Sequence, residues 1–228
     1  MQRAFNHDPI VPDRPLMYQG MSHRFLGPLE DAPFPAEADG IDFEGEFGVI
    51  TSDVPMGCTA SDALSHIRLI VQINDWSLRA ITPVEMKTGF GWVQAKPACN
   101  MAPFAVTPDR LGDARVCLPL RVEANGEWFG HPDGSAMAVG FHDLIAYAAR
   151  SRDLPAGTII GSGTVSNDGH ARVGSNCRSE RRAIERIEQG SAVTPFLSLG
   201  DRITMIATPF GRIDQGVVAA SPRRIDDR

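Results

Sequence analysis

The chain has 228 residues, of which 43% are hydrophobic and 22% charged, enough to bury one sizeable core and in the range of a single globular domain. A formal net charge of -6 and a pI near 5.5 give no general attraction to phosphate backbones or anionic lipid, so nucleic-acid and membrane-surface roles are disfavoured. No apolar stretch approaches the roughly 18 residues of a membrane span; Cys58, Cys99, Cys117 and Cys177 form no CxxC pair, and no secretion signal is apparent, so free thiols in a reducing cytoplasm are expected.

Residues 1–40 carry Pro9, Pro12, Pro15, Pro28, Pro33 and Pro35. Proline fixes φ and removes a donor, so this stretch reads as an irregular N-terminal lid or extension. Residues 41–228 read as one domain. β-branched runs follow at Ile41 to Thr51, Ile67 to Ile73, Val116 to Val122, Thr158 to Ile160, Ile203 to Thr208 and Arg212 to Val218. Asn125-Gly126 marks a two-residue hairpin turn. Helices are few and short: Thr59-Ala-Ser-Asp62 opens one toward His66, and others are expected over Asp143 to Ser151 and Ser179 to Gln189. The fold class is α+β and β-dominated.

Side chains alternate along a strand, so in Ile41 to Ile50 Phe43, Phe47 and Val49 share one face and Glu44 and Glu46 the other. The two carboxylates would sit about 6.6 Å apart at Cα. Two readings are open: a solvated strand face, or convergence on one cation, since burying both without a counter-charge is costly. Asp75 ends the apolar run Ile67 to Ile73 and is either a third acidic ligand or a turn residue. Oxygen donors without clustered His or Cys favour magnesium, calcium or manganese over zinc.

These pieces come in an order that resembles a known family. Asp42-Phe-Glu-Gly-Glu-Phe-Gly-Val-Ile50, Asn74-Asp-Trp-Ser-Leu-Arg79, Lys96-Pro97, Gly161-Ser-Gly-Thr-Val-Ser-Asn167 and Thr194-Pro-Phe-Leu197 with Gly200-Asp201 are similar to the fumarylacetoacetate hydrolase family over roughly Leu16 to Val218. The resemblance implies rolled mixed sheets forming a barrel-like core, a catalytic domain over 41–228, and a homodimer. By motif, Glu44, Glu46 and Asp75 match the family's metal ligands, for Mg2+ with Ca2+ or Mn2+ as alternatives. Arg79 and Lys96 match its basic residues, which orient the ligand and stabilise an enolate. Gly163 and Thr164 match the segment lining the pocket opposite the metal, where glycine lets backbone approach a ligand and the hydroxyl can bind a carboxylate.

The implied activity is hydrolytic cleavage of a C–C bond in a small diketo acid of the fumarylacetoacetate or acylpyruvate type. The family's hydrolases activate water with a His-Glu pair on an N-terminal lid. His7 is the candidate base here, but no HxxE accompanies it. Thr82 stands where several of those hydrolases carry a substrate-binding Gln. Cys177 reads as a small buried residue rather than a nucleophile, and the other histidines as caps or solvated groups. A decarboxylase or isomerase acting on a related oxo acid, and a non-catalytic oxo-acid binder, stay open beside the hydrolase.

Overall fold

The computed structural model describes residues 14–110 and 114–221. In chain order its elements are β1 (Phe25–Leu26), β2 (Ala32–Phe34), β3 (Ile41–Asp42), β4 (Gly45–Thr51), α1 (Ala60–Ala63), β5 (Ile67–Asp75), β6 (Ser77–Leu78), α2 (Thr82–Thr88), β7 (Cys99–Met101), β8 (Arg121–Ala124), β9 (Glu127–Gly130), α3 (Phe141–Ala148), β10 (Ile159–Gly161), α4 (His170–Val173), α5 (Arg178–Gln189), β11 (Arg202–Ala207) and β12 (Gly211–Ala219). They form one five-stranded sheet in the order β1-β7-β5-β4-β10, a second in the order β2-β12-β11-β8-β9, and the ribbon β3-β6. The pairings are antiparallel except β1 with β7 and β2 with β12.

The expected barrel is corrected by this topology. A barrel needs its edge strands paired to each other, whereas among the described residues both sheets end on open edges, at β1 and β10 and at β2 and β9. The stretch read as irregular also contains β1 and β2, which join the two sheets. Proline misled that reading: Pro33 lies in β2, an edge strand, where its missing N–H removes no ladder bond. No helix among the described residues is long and apolar enough to cross a membrane.

The core lies where aromatic residues from both sheets and their connections meet. Phe47 of β4 packs on Phe210 with ring centroids 5.6 Å apart, Phe34 of β2 on Trp76 at 5.2 Å, and Phe43 on Phe129 of β9 at 5.2 Å. Phe34, Phe43, Phe47, Phe210 and Trp76 are fully buried, and truncating a buried Phe to Ala typically costs about 3–5 kcal/mol. The hairpin forms as expected: Asn125 and Gly126 take φ of 54° and 80°, and Ala124 pairs with Glu127.

Four local differences from the sequence reading follow. The run Ile41 to Thr51 is broken at Phe43 and Glu44, where the Phe43 N–H donates to its neighbour Asp42 Oδ1 at 2.9 Å and is thereby drawn away from a ladder. Helix α2 was masked by Pro83, which is tolerated because it lies in the first turn. Strand β7 is too short to stand out in the sequence, and β8 begins at Arg121 rather than Val116.

Candidate metal centre

Glu46 lies on β4 opposite Ile73 of β5, so the end of β5 brings Asp75 beside it. Glu44, just before β4, accepts the Asp75 N–H through its backbone carbonyl at 3.0 Å, and its own N–H donates to the Asn74 side chain at 3.1 Å. The strand break therefore does not scatter the acids. One carboxylate oxygen from each of Glu44, Glu46 and Asp75 lies within 4.8 Å of the others, and all three residues are buried.

Two cations frame this triad. Lys96 Nζ donates to Glu44 Oε2 at 2.5 Å, Asp75 Oδ2 at 2.8 Å and Ser77 Oγ at 2.7 Å. Arg79 donates from Nη2 to Glu44 Oε1 at 2.6 Å and from Nε to Asp42 Oδ2 at 2.9 Å. Burial would raise the Glu44 carboxyl, but Lys96 and Arg79 outweigh it and hold it down at about 2. Glu46, two residues on, goes the other way: burial first, then the charges of Asp75 and Glu44, push it well above the ordinary carboxylate range.

That contrast is the test of whether a metal fits. If all were ionised, Asp42, Glu44, Glu46 and Asp75 would carry four negative charges against the two positive charges of Arg79 and Lys96, and among the described residues no Lys or Arg pairs with Glu46. Two negative charges would then be left over in a buried pocket of oxygen donors, an excess that the raised Glu46 carboxyl reflects. A hard divalent cation supplies that balance, and Glu44, Glu46 and Asp75 are the residues that would hold it.

The surrounding segments close on the triad. Gly161 of β10 lies so near that an added Cβ would meet Glu46 Oε2 at 2.8 Å. The next residues run along β4, with the Ser162 N–H on the Phe47 carbonyl at 2.8 Å and the Val165 N–H on the Gly45 carbonyl at 2.9 Å. Between them lie Gly163, at φ 74°, and Thr164, whose buried hydroxyl has no hydrogen-bond partner among the described residues. On the other side the Tyr18 hydroxyl donates to Asp75 Oδ2, its ring meets Trp92 edge to face at 5.8 Å, and Lys96 Nζ lies 5.2 Å from the ring centroid. Cys99 Sγ lies 3.0 Å from Asp75 Oδ1.

A family model for the fumarylacetoacetate hydrolase C-terminal domain matches residues 1–218. The chain belongs to the fumarylacetoacetate hydrolase family. It is 26% identical over 157 residues to a mitochondrial oxaloacetate tautomerase, Fahd2a, of Rattus norvegicus, covering 68% of this chain and 49% of that protein. It is 26% identical over 165 residues to a 2,4-didehydro-3-deoxy-L-rhamnonate hydrolase of Sphingomonas sp. (strain SKA58), covering 71% and 56%. The chain thus spans about half the length of the curated relatives it matches. In fold it is similar to a 5-carboxymethyl-2-hydroxymuconate delta-isomerase from Mycobacterium smegmatis, with a TM-score of 0.67, 23% identity and coverage of 96% of this chain and 74% of that one. A 2-hydroxyhepta-2,4-diene-1,7-dioate isomerase from Mycobacterium marinum gives 0.68 at 22%, covering 92% and 71%.

Of the residues singled out by sequence, Glu44, Glu46, Asp75, Arg79 and Lys96 come together, and Gly163 and Thr164 lie on the segment beside Glu46. His7 lies outside the described residues. Thr82 turns its hydroxyl to the Leu78 carbonyl at 3.1 Å. Cys177 is fully buried and caps α5 by accepting from the Glu180 N–H at 3.3 Å, its thiol raised by burial and then by Asp42. Sequence reasoning missed Tyr18, Asp42, Trp92 and Cys99. Asp42 was within the matched motif, whereas Tyr18 and Trp92 have no local signal: they meet because β1 and β7 run parallel, Phe25 beside Cys99, and each aromatic precedes its strand by the same interval.

Proposed function

We propose that this chain is a divalent-metal-dependent enzyme that enolises a small oxo acid or diketo acid, and that its overall reaction is hydrolytic cleavage of the C–C bond in an acylpyruvate-type substrate. The observation that carries the reading is the buried triad of Glu44, Glu46 and Asp75, whose charge Arg79 and Lys96 balance only in part. Magnesium is the cation we assign, with manganese or calcium able to use the same oxygen donors. When bound, such a cation supplies Lewis-acid polarisation of the substrate's oxo group.

The protein's own groups do the rest. Lys96 brings an ammonium to the rim of the triad, where it can stabilise negative charge developing on an enolising oxygen. Although burial works against its charged form, Glu44 and Asp75 outweigh that and keep Lys96 protonated. Its contribution is therefore electrostatic rather than basic. Arg79 stiffens Glu44, and the Thr164 hydroxyl, unpartnered among the described residues, with the open backbone at Gly163 offers a place for the substrate carboxylate. Hydrolysis additionally needs a deprotonated water, for which His7 is the assigned base.

A second reading, an oxo-acid tautomerase or isomerase, is favoured by similarity to an oxaloacetate tautomerase and by a sequence with no HxxE after His7. It uses the same triad and needs no water activation. Parallel assays of acylpyruvate hydrolysis, oxaloacetate keto–enol exchange and oxaloacetate decarboxylation, each with magnesium and with chelator, test the proposal. Metal-dependent acylpyruvate cleavage that is lost in His7→Ala supports the hydrolase. Metal-dependent exchange without cleavage supports the tautomerase. Oxalate binding with no turnover in any assay contradicts both and leaves a binder. We further propose a homodimer, checked by light scattering of the purified chain.

A further inference from the structure

Asp42 lies outside the triad, yet it is fully buried and its carboxylate accepts four hydrogen bonds. Oδ1 takes the backbone N–H groups of Phe43 at 2.9 Å and Arg178 at 2.8 Å; Oδ2 takes the N–H of Ser179 and the Nε of Arg79, both at 2.9 Å. Arg178 and Ser179 open α5, so Asp42 satisfies two of the helix's orphan donors. That cap explains two of the four bonds. It does not call for a guanidinium.

Arg79 ties Asp42 to the centre. A guanidinium is a rigid planar fork, and with Nε held on Asp42 its Nη2 is directed at Glu44 Oε1 at 2.6 Å. The ribbon β3-β6 fixes the frame, since Asp42 pairs with Ser77, and Ser77 in turn accepts from Lys96 Nζ. Asp42 also shares the charge of Arg79. With asparagine in place of Asp42, the charge of Arg79 would act on Glu44 alone and compete with any cation there.

We propose that Asp42 is a positioning residue for the cation site: through Arg79 it fixes the orientation of Glu44 and limits the positive charge that reaches it, so that cation affinity depends on Asp42. This rests on the metal reading of the triad given above. Partners behind a ligand commonly change metal affinity by roughly 10- to 100-fold.

The test is Mn2+ titration of the full chain followed by electron paramagnetic resonance, with thermal unfolding in parallel. Asp42→Asn is expected to bind Mn2+ about ten-fold more weakly and to unfold at lower temperature. Ile187→Gly, at an exposed position of α5, is expected to lower the unfolding temperature while leaving Mn2+ affinity unchanged. In an Arg79→Met background, Asp42→Asn should still destabilise the helix but weaken Mn2+ binding no further. If Asp42→Asn does not fold, Arg79→Lys keeps the charge and loses the fork, and weaker binding is again expected. Wild-type affinity in Asp42→Asn, or in Arg79→Lys if that is the variant obtained, overturns the proposal. So does an equal loss with and without Arg79, which would leave Asp42 a helix cap only. Absence of Mn2+ binding by the wild-type chain overturns the metal reading itself.

Discussion

The molecule treats two sets of glutamates in opposite ways. Glu85 accepts the backbone N–H groups of Val93, Gln94 and Ala95 at 3.1, 2.8 and 3.0 Å, and Glu185 those of Val193 and Thr194 at 2.7 and 2.9 Å together with the Thr194 hydroxyl. Both are lowered from the ordinary carboxylate range, Glu85 foremost by its bond from Gln94, and Glu185 because Thr194 and Val193 outweigh the effect of burial. Glu46 is buried beside two further carboxylates and is pushed up. A carboxylate answered by its own chain's amides holds a loop in place. One buried among like charges is costly to ionise unless a cation joins it.

The largest effect that would sharpen this contrast is expected at Lys96, which belongs to the unanswered side. Lys96→Met should lower kcat roughly 100-fold or more while cation affinity is kept or increased, because a competing ammonium has been removed from Glu44 and Asp75. A change confined to KM would break the assignment. Gly161→Ala comes next: its Cβ displaces the end of a flexible Glu46 side chain rather than backbone, so cation binding should weaken roughly ten-fold with little change in Tm. A large fall in Tm with unchanged cation affinity would show that Glu46 is not held where the centre needs it.

Smaller effects are expected on the amide-answered side. Glu85 secures the loop that ends at Lys96, so Glu85→Gln should lower kcat by a modest factor, measurable in the same assays. The sign of its pH dependence follows from its lowered carboxyl. The ionised form is favoured in the folded chain, so its stabilisation is present above the ordinary glutamate range, near pH 4 to 4.5, and is lost as pH falls through the lower folded value. Glu85→Gln should therefore flatten the acid limb of Tm against pH and leave the neutral region alone. Glu185→Gln, remote from the triad's ligands, should cost a few degrees of Tm and leave turnover unchanged; altered kcat there would blur the distinction between the two sets.

The acids of the centre stood out locally in sequence, while their reading as ligands, and the parts given to Arg79 and Lys96, came from the family resemblance. Glu44 and Glu46 are two residues apart, Asp75 ends an apolar run, and period-two patterning put Phe47 in the core opposite the acids. The β-branched runs likewise marked β5, β11 and β12. What was not legible depends on partners distant in the chain. Pro33 hid β2 because only the sheet reveals that the strand is an edge. Tyr18 and Trp92 become neighbours through the parallel pairing of β1 with β7, which no local pattern encodes. Asp42 stood inside the motif, but its bonds to Arg79, Arg178 and Ser179 span up to 137 positions, so its role could not be read from its neighbours. The barrel expectation came from the resemblance and yielded to two open sheets.

The most direct test of the central claim is equilibrium Mn2+ binding to chelator-treated wild-type chain and to Glu46→Gln, measured across pH. One cation per chain is predicted for the wild type, with affinity that climbs as pH rises above the ordinary carboxylate range, because Glu46 must lose its proton before it can act as a ligand. The variant should lose that binding and its pH dependence together. Equal binding by the two proteins, or wild-type affinity that is flat over that range, would contradict the assignment of Glu44, Glu46 and Asp75 as a cation site.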